Sequence, residues 1–122
     1  MIEQLVSKVF YTRNAAHLEH WKTKGVGSYA RHVALGDFYD ALIDNIDSIV
    51  EAHQGYFDLI AAVQPIPGPL LPKDIVEHIS DECEWIDENR EKIAKNVAAI
   101  ENLIDNLAGA YMSVLYKLRN LQ

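Results

Sequence analysis

A chain of 122 residues has room for one domain and one core, and 49% hydrophobic with 24% charged residues is the composition of an ordinary folded protein. A formal net charge of −7 works against binding nucleic acid or an anionic membrane surface and favours cations. No stretch reaches the roughly 18 apolar residues of a membrane span, the first residues lack the basic-then-apolar layout of a signal peptide, and the single Cys83 has no partner for an internal disulfide. A cytoplasmic protein is expected.

From Ile2 to about Thr23 there is no Gly or Pro, and Leu5, Val6, Val9, Phe10, Ala16, Leu18 and Trp21 recur at the spacing of an amphipathic helix. Lys24-Gly25-Val26-Gly27-Ser28 breaks the pattern: Gly25 suits a left-handed helix end and Ser28 suits a cap for the next helix. A second long helix is expected from Tyr29 to about Gln54, with Val33, Leu35, Phe38, Tyr39, Leu42, Ile43, Ile46, Ile49 and Val50 on a wide apolar face, ending at Gly55. So short a connection makes these two helices antiparallel neighbours. Tyr56 to Val63 reads as a short helix of its own, and Pro65-Ile66-Pro67-Gly68-Pro69-Leu70-Leu71-Pro72 as a stiff crossover with its leucines against the bundle.

After Pro72, Lys73 and Asp74 make a helix start, and the apolar period runs from Ile75 through Trp85, Ile93 and Leu103 to Leu118. One helix of some fifty residues would be roughly 75 Å long, so a turn is expected near Asp87-Glu88-Asn89-Arg90 or near Asn96. The fold class that follows is all-α, a four-helix bundle with a proline-rich crossover between helices two and three. Residues 1–122 form a single domain, with no internal repeat.

Histidine and carboxylate carry the metal chemistry of such bundles. There is no Glu-x-x-His pair, so the di-iron centre that ferritin-like bundles build inside one chain cannot form here. Five histidines are present, His17, His20, His32, His53 and His78, together with the acidic row Asp37, Asp40, Asp44, Asp47 and Glu51 along one helical face. By spacing alone such a row is a solvated surface.

The segment His20-Trp21-Lys22-Thr23-Lys24-Gly25 resembles the His-Trp-x-x-x-Gly signature of the Dps-type mini-ferritins. His32 follows twelve residues after His20, Asp47 fifteen after that, and Glu51 four later, where that family has its second histidine, its aspartate and its glutamate. The resemblance covers about Leu5 to Gly55; the second half is similar in helical character alone. It implies a ferritin-like fold and an iron site, with His20, His32, Asp47 and Glu51 as ligands of Fe(II) and Fe(III). It also implies ferroxidase activity toward peroxide or dioxygen, in protection against oxidative stress, with Trp21 beside the iron as an electron donor; on its own, Trp21 serves equally well as a core anchor.

Asp47 lies about 22 Å along the helix from His32 at 1.5 Å per residue, too far for one ion to bridge within a chain. Two copies packed antiparallel through their second helices bring His20 and His32 of one to Asp47 and Glu51 of the other, giving two equivalent sites. The resemblance implies this homodimer. Mixed imidazole and carboxylate suit ferrous iron, and only neutral imidazole binds, so occupancy falls in acid. Asp44 and His17 are accessory candidates. The chain is shorter than the family's usual length and lacks its lysine-rich tail, so the dimer is expected ahead of a larger shell, and DNA binding is not expected. The alternative is a non-catalytic bundle that serves as an interaction or metal-buffering protein.

Overall fold

The computed structural model describes all of residues 1–122 and contains helices and no strands. The helices are α1 (Ile2–Lys22), α2 (Ser28–Tyr56), α3 (Ile75–Ala94) and α4 (Ala98–Asn120). Each buries residues three or four apart: Leu5, Val9, Thr12 and Ala16 on α1, Leu35, Phe38, Leu42, Ile46 and Ile49 on α2. On α3 the buried row is Ile75, Ile79, Glu82 and Ile86, and on α4 it is Ile100, Ile104, Leu107, Tyr111 and Val114. These rows converge on one core.

α1 packs on α2 and α3, and α4 packs on the same two. The four helices therefore close a ring in the order α1, α2, α4, α3. Helices α2 and α3, consecutive in the chain, lie diagonally across it. A short turn cannot cover that diagonal, which is why a long segment, residues 57–74, connects them.

That segment holds no helix, so the expected short helix over Tyr56 to Val63 is not there; α2 itself continues through Gly55 to Tyr56. The four prolines between positions 65 and 72 remove amide hydrogens only beyond that stretch, so they do not by themselves exclude the helix. The segment is tied down instead by side chains of α1. Ser7 donates to the Gln64 carbonyl, Tyr11 to the Pro69 carbonyl at 3.0 Å, and Glu3 accepts from the Ala61 amide at 3.0 Å. Leu71 packs on the core, whereas Leu70 is exposed.

The first break falls as the glycines dictate, with Gly25 at φ 93° and Gly27 at φ 80°. Ser28 is not a cap: Gly27 holds that position and Ser28 is the first helical residue, with no side-chain bond to the helix end. Asp74 caps α3, its Oδ1 accepting from the amides of Val76 at 3.0 Å and Glu77 at 3.2 Å. Asp87 to Arg90 lie inside α3, and the turn comes at Lys95 and Asn96, with φ of 51° and 63°. Asparagine tolerates this left-handed region; lysine there is held by the turn, whose Asn96 amide reaches back to the Glu91 carbonyl at 3.2 Å.

Candidate functional site

At the α1–α2 turn, His20 and His32 are stacked, ring centroids 3.5 Å apart and 20° from parallel. His20 Nδ1 is 2.6 Å from the His32 carbonyl oxygen, and His32 Nδ1 is 3.0 Å from the His20 carbonyl oxygen. A carbonyl only accepts, so both Nδ1 atoms carry hydrogen. In neutral imidazole this leaves the lone pair on Nε2 in both rings, the state of a metal-ligating histidine oriented by a backbone partner. Gly36, one turn beyond His32, makes room for the clasp: a Cβ there would stand 3.1 Å from His20 Cε1 and 3.4 Å from its Nδ1.

Around the pair stands an aromatic shell. Tyr39 meets His20 edge-on at 5.4 Å and stacks on His17 at 4.2 Å. His17 also lies 4.2 Å from Trp21, which is 67% exposed and so is no core anchor in a single chain. Arg13 donates to His17 Nδ1 at 3.1 Å. That bond puts the His17 hydrogen on Nε2, the opposite tautomer to its neighbours, and sets His17 apart from the stacked pair. Burial, then the charges of Arg13 and His20, hold the His17 ring below the usual histidine range against the pull of Asp40.

Asp47 and Glu51 are exposed on α2, as are Asp37, Asp40 and Asp44. They do not join His20 and His32: no group of three or more His, Cys, Asp or Glu side chains within one chain is placed to hold a metal ion. Two of the four expected ligands are thus brought together, and the other two remain apart by the helical rise between positions 32 and 47.

A model described as a family of unknown function, DUF5856, matches residues 20–118. The chain belongs to that family. No curated protein and no solved structure matches it. The DUF5856 match spans His20, Trp21, His32, Asp47 and Glu51, and it also takes in His78, Glu82 and Tyr111.

Those last three belong to a group that sequence spacing did not single out. Glu82 is 4% exposed in the middle of the bundle, where Tyr111 donates to its Oε2 at 2.7 Å and Thr12 donates to the same oxygen. His78 Nε2 lies 2.8 Å from Thr12 Oγ1 and 3.9 Å from Glu82 Oε2. Burial lifts the Glu82 carboxyl to about 7 against the lowering effect of Thr12, Tyr111 and Lys8. Burial and the neighbouring carboxylate push the Tyr111 phenol well up. A signal was present: Glu82 interrupts the apolar series Ile75, Ile79, Ile86, and Thr12 interrupts Leu5, Val9, Ala16. A polar residue inside an apolar stripe needs a buried partner.

No helix is long and apolar enough to cross a membrane.

Proposed function

We propose that this DUF5856 protein binds ferrous iron as a substrate and oxidises it at sites shared between two copies, in the manner of the Dps-type mini-ferritins it resembles. The observation that carries the reading is the reciprocal clasp of His20 and His32. Two backbone carbonyls fix both rings in one tautomer and leave both Nε2 lone pairs unspent. A stacked pair of imidazoles without that arrangement would be packing alone.

Two imidazoles are an incomplete set for iron. Asp47 and Glu51, one turn apart and exposed on α2, complete it from a second copy packed antiparallel through the same helix. Carboxylate favours the ferric product, imidazole holds the ferrous substrate, and peroxide or dioxygen takes the electrons. Trp21, exposed one position from His20, is the side chain suited to supply a further electron. The four-helix bundle is then a ferritin-like one. The homodimer is the minimum assembly, and a larger shell is not required.

The second reading is a non-catalytic interaction or metal-buffering protein. What favours it is apolar surface on α1 and α2, with Phe10 50% and Ile43 39% exposed in addition to Trp21.

The test is complementation between two variants, each lacking half a site. Asp47→Ala and His32→Ala should each abolish ferric absorbance after an anaerobic Fe(II) load and a peroxide pulse. Mixed with subunit exchange, they should recover about a quarter of the wild-type signal: half of the dimers are mixed, and each holds one intact site of two. Confirmed mixed dimers with no recovery would rule out the shared site. Metal uptake without ferric product would leave the buffering reading standing.

A further inference from the structure

Glu82 lies where α1, α3 and α4 meet, and the hydrogen bonds around it have a direction. Thr12 spends its hydroxyl hydrogen on Glu82 Oε2, so its oxygen accepts from His78 Nε2. Tyr111 also donates to Oε2. Every donor therefore points toward the carboxylate, an arrangement that favours its charge, while a dry core favours the neutral acid. Opposing influences of similar size put the two states of this carboxyl within reach of each other.

A route joins the two states. The Glu82 side chain is 3% exposed, but the His78 side chain is 24% exposed and meets solvent. A hydroxyl with an imidazole on one side and a carboxyl on the other can reverse its bond. We propose that the Tyr111–Glu82–Thr12–His78 chain is a proton switch built into the bundle, independent of any metal. One proton enters at His78 Nδ1, His78 Nε2 gives one to Thr12 Oγ1, and Thr12 gives one to Glu82 Oε2. His78 and Thr12 end as neutral as they began, the imidazole in its other tautomer, and Glu82 has gained the proton. Burial, reinforced by Lys8, holds the His78 ring below the usual histidine range against Asp81, so it relays the proton without keeping it.

The charged and titratable groups facing the site are few. α1 supplies Lys8 and Tyr11, whose ring lies 5.2 Å from that of His78, α3 supplies Asp81 beside His78 and Cys83 beside Tyr111, and α4 supplies Tyr111 itself. α2 contributes an uncharged ring edge, Phe38 against Tyr111 at 5.1 Å. Lys8, the one fixed cation among them, lies over the Trp85 ring, 4.7 Å from its centroid, rather than in an ion pair with Glu82. Ionisation consequently leaves a charge in the core with hydroxyl partners alone. The helices that supply those hydroxyls, α1 and α4, then loosen from α3. The neutral acid is the tight state and the ionised acid the loose one.

The full chain, labelled with carbon-13 at the glutamate side-chain carboxyls, is titrated by NMR, and amide exchange of α1 and α4 peptides is followed in parallel. One carboxyl should titrate near neutrality and vanish from the spectrum in Glu82→Gln. Protection of peptides spanning Thr12 and Tyr111, corrected for chemical exchange rates, should fall about tenfold between about pH 6 and pH 8 in wild type and stay level in Glu82→Gln. Thr12→Val should push the titration further up, because the ionised form loses a donor. Glutamate carboxyls all titrating in the ordinary range would overturn the proposal, as would a loss of protection that persists in Glu82→Gln. Should that variant not fold, the wild-type and Thr12→Val titrations decide.

Discussion

The α1–α2 turn and the centre of the bundle both assemble polar groups from different helices, yet they do so in opposite ways. At the turn, His20 and His32 are half-buried and use the backbone as partner, with Thr23 donating to the same His20 carbonyl at 2.9 Å, so their outer nitrogens stay free. At the centre, Glu82 is buried and its partners are side chains from α1 and α4, so its energy depends on the whole bundle. A site built on backbone carbonyls can be altered with little effect on the fold. A site built on side chains across a core cannot, because each partner removed leaves another buried polar atom unpaired. The first design suits exchange of a ligand with the outside; the second suits coupling of charge to packing.

Three perturbations separate the two regions, and the largest falls in the core. Tyr111→Ala empties a fully buried aromatic position and frees Oε2 of Glu82 from a donor. It should cost about 4 kcal/mol of unfolding free energy, the range of buried aromatic truncations. Tyr111→Phe, which removes the hydroxyl alone, should cost about 1–2 kcal/mol. Urea denaturation followed by circular dichroism measures both, and equal losses would mean that the hydrogen bond, not packing, matters at this position.

The next largest effect is that of pH on the same network. An acid whose folded-state value is raised from 4.5 to about 7 favours folding through its protonated form. That contribution is complete below about pH 4.5 and is lost as pH rises through about 7, by up to about 3 kcal/mol for this one group. Denaturant midpoints taken from about pH 5 to about pH 8 should therefore decline in wild type, and the decline should be absent in Glu82→Gln. The lowered His17, His53 and His78 act in the opposite direction in both proteins, so a wild-type midpoint that gained on that of Glu82→Gln over this interval would contradict the sign.

The smallest change in stability belongs to the turn. Gly36→Ala gains helix propensity of about 1 kcal/mol, and the new methyl must displace the His20 ring by a few tenths of an ångström. Net stability should stay within about 1 kcal/mol of wild type, while Fe(II) affinity should fall about tenfold as the His20–His32 carbonyl bond lengthens. Thermal melting and an anaerobic Fe(II) titration give the two numbers. A variant with unchanged affinity would show that the clasp does not hold a ligand geometry.

Much of this molecule is written in local chemistry. Apolar residues at intervals of three and four gave four helices, and glycines at 25 and 27 gave the first turn, because these features depend on neighbours within a few positions. His20 and His32 were legible for the same reason: twelve residues apart across a tight turn, they must end up side by side. The α3–α4 turn was less so, since Lys95 and Asn96 adopt left-handed angles without a glycine to mark them. Four prolines spelled out a stiff connection, but not that the segment before them forgoes a helix, a choice made by bonds from Ser7, Tyr11 and Glu3 of α1.

Only the tertiary structure decided the fate of Glu82. On its own helix its place in the apolar row of Ile75, Ile79 and Ile86 calls for a buried partner, but nothing local says which. Its partners Thr12 and Tyr111 stand 70 and 29 positions away, and nothing short of the packed bundle brings them to one oxygen. A helix is set by hydrogen bonds between residues four apart, so sequence determines it directly. The charge of a buried acid is set by what surrounds it in space, and that exists only once the four helices have closed.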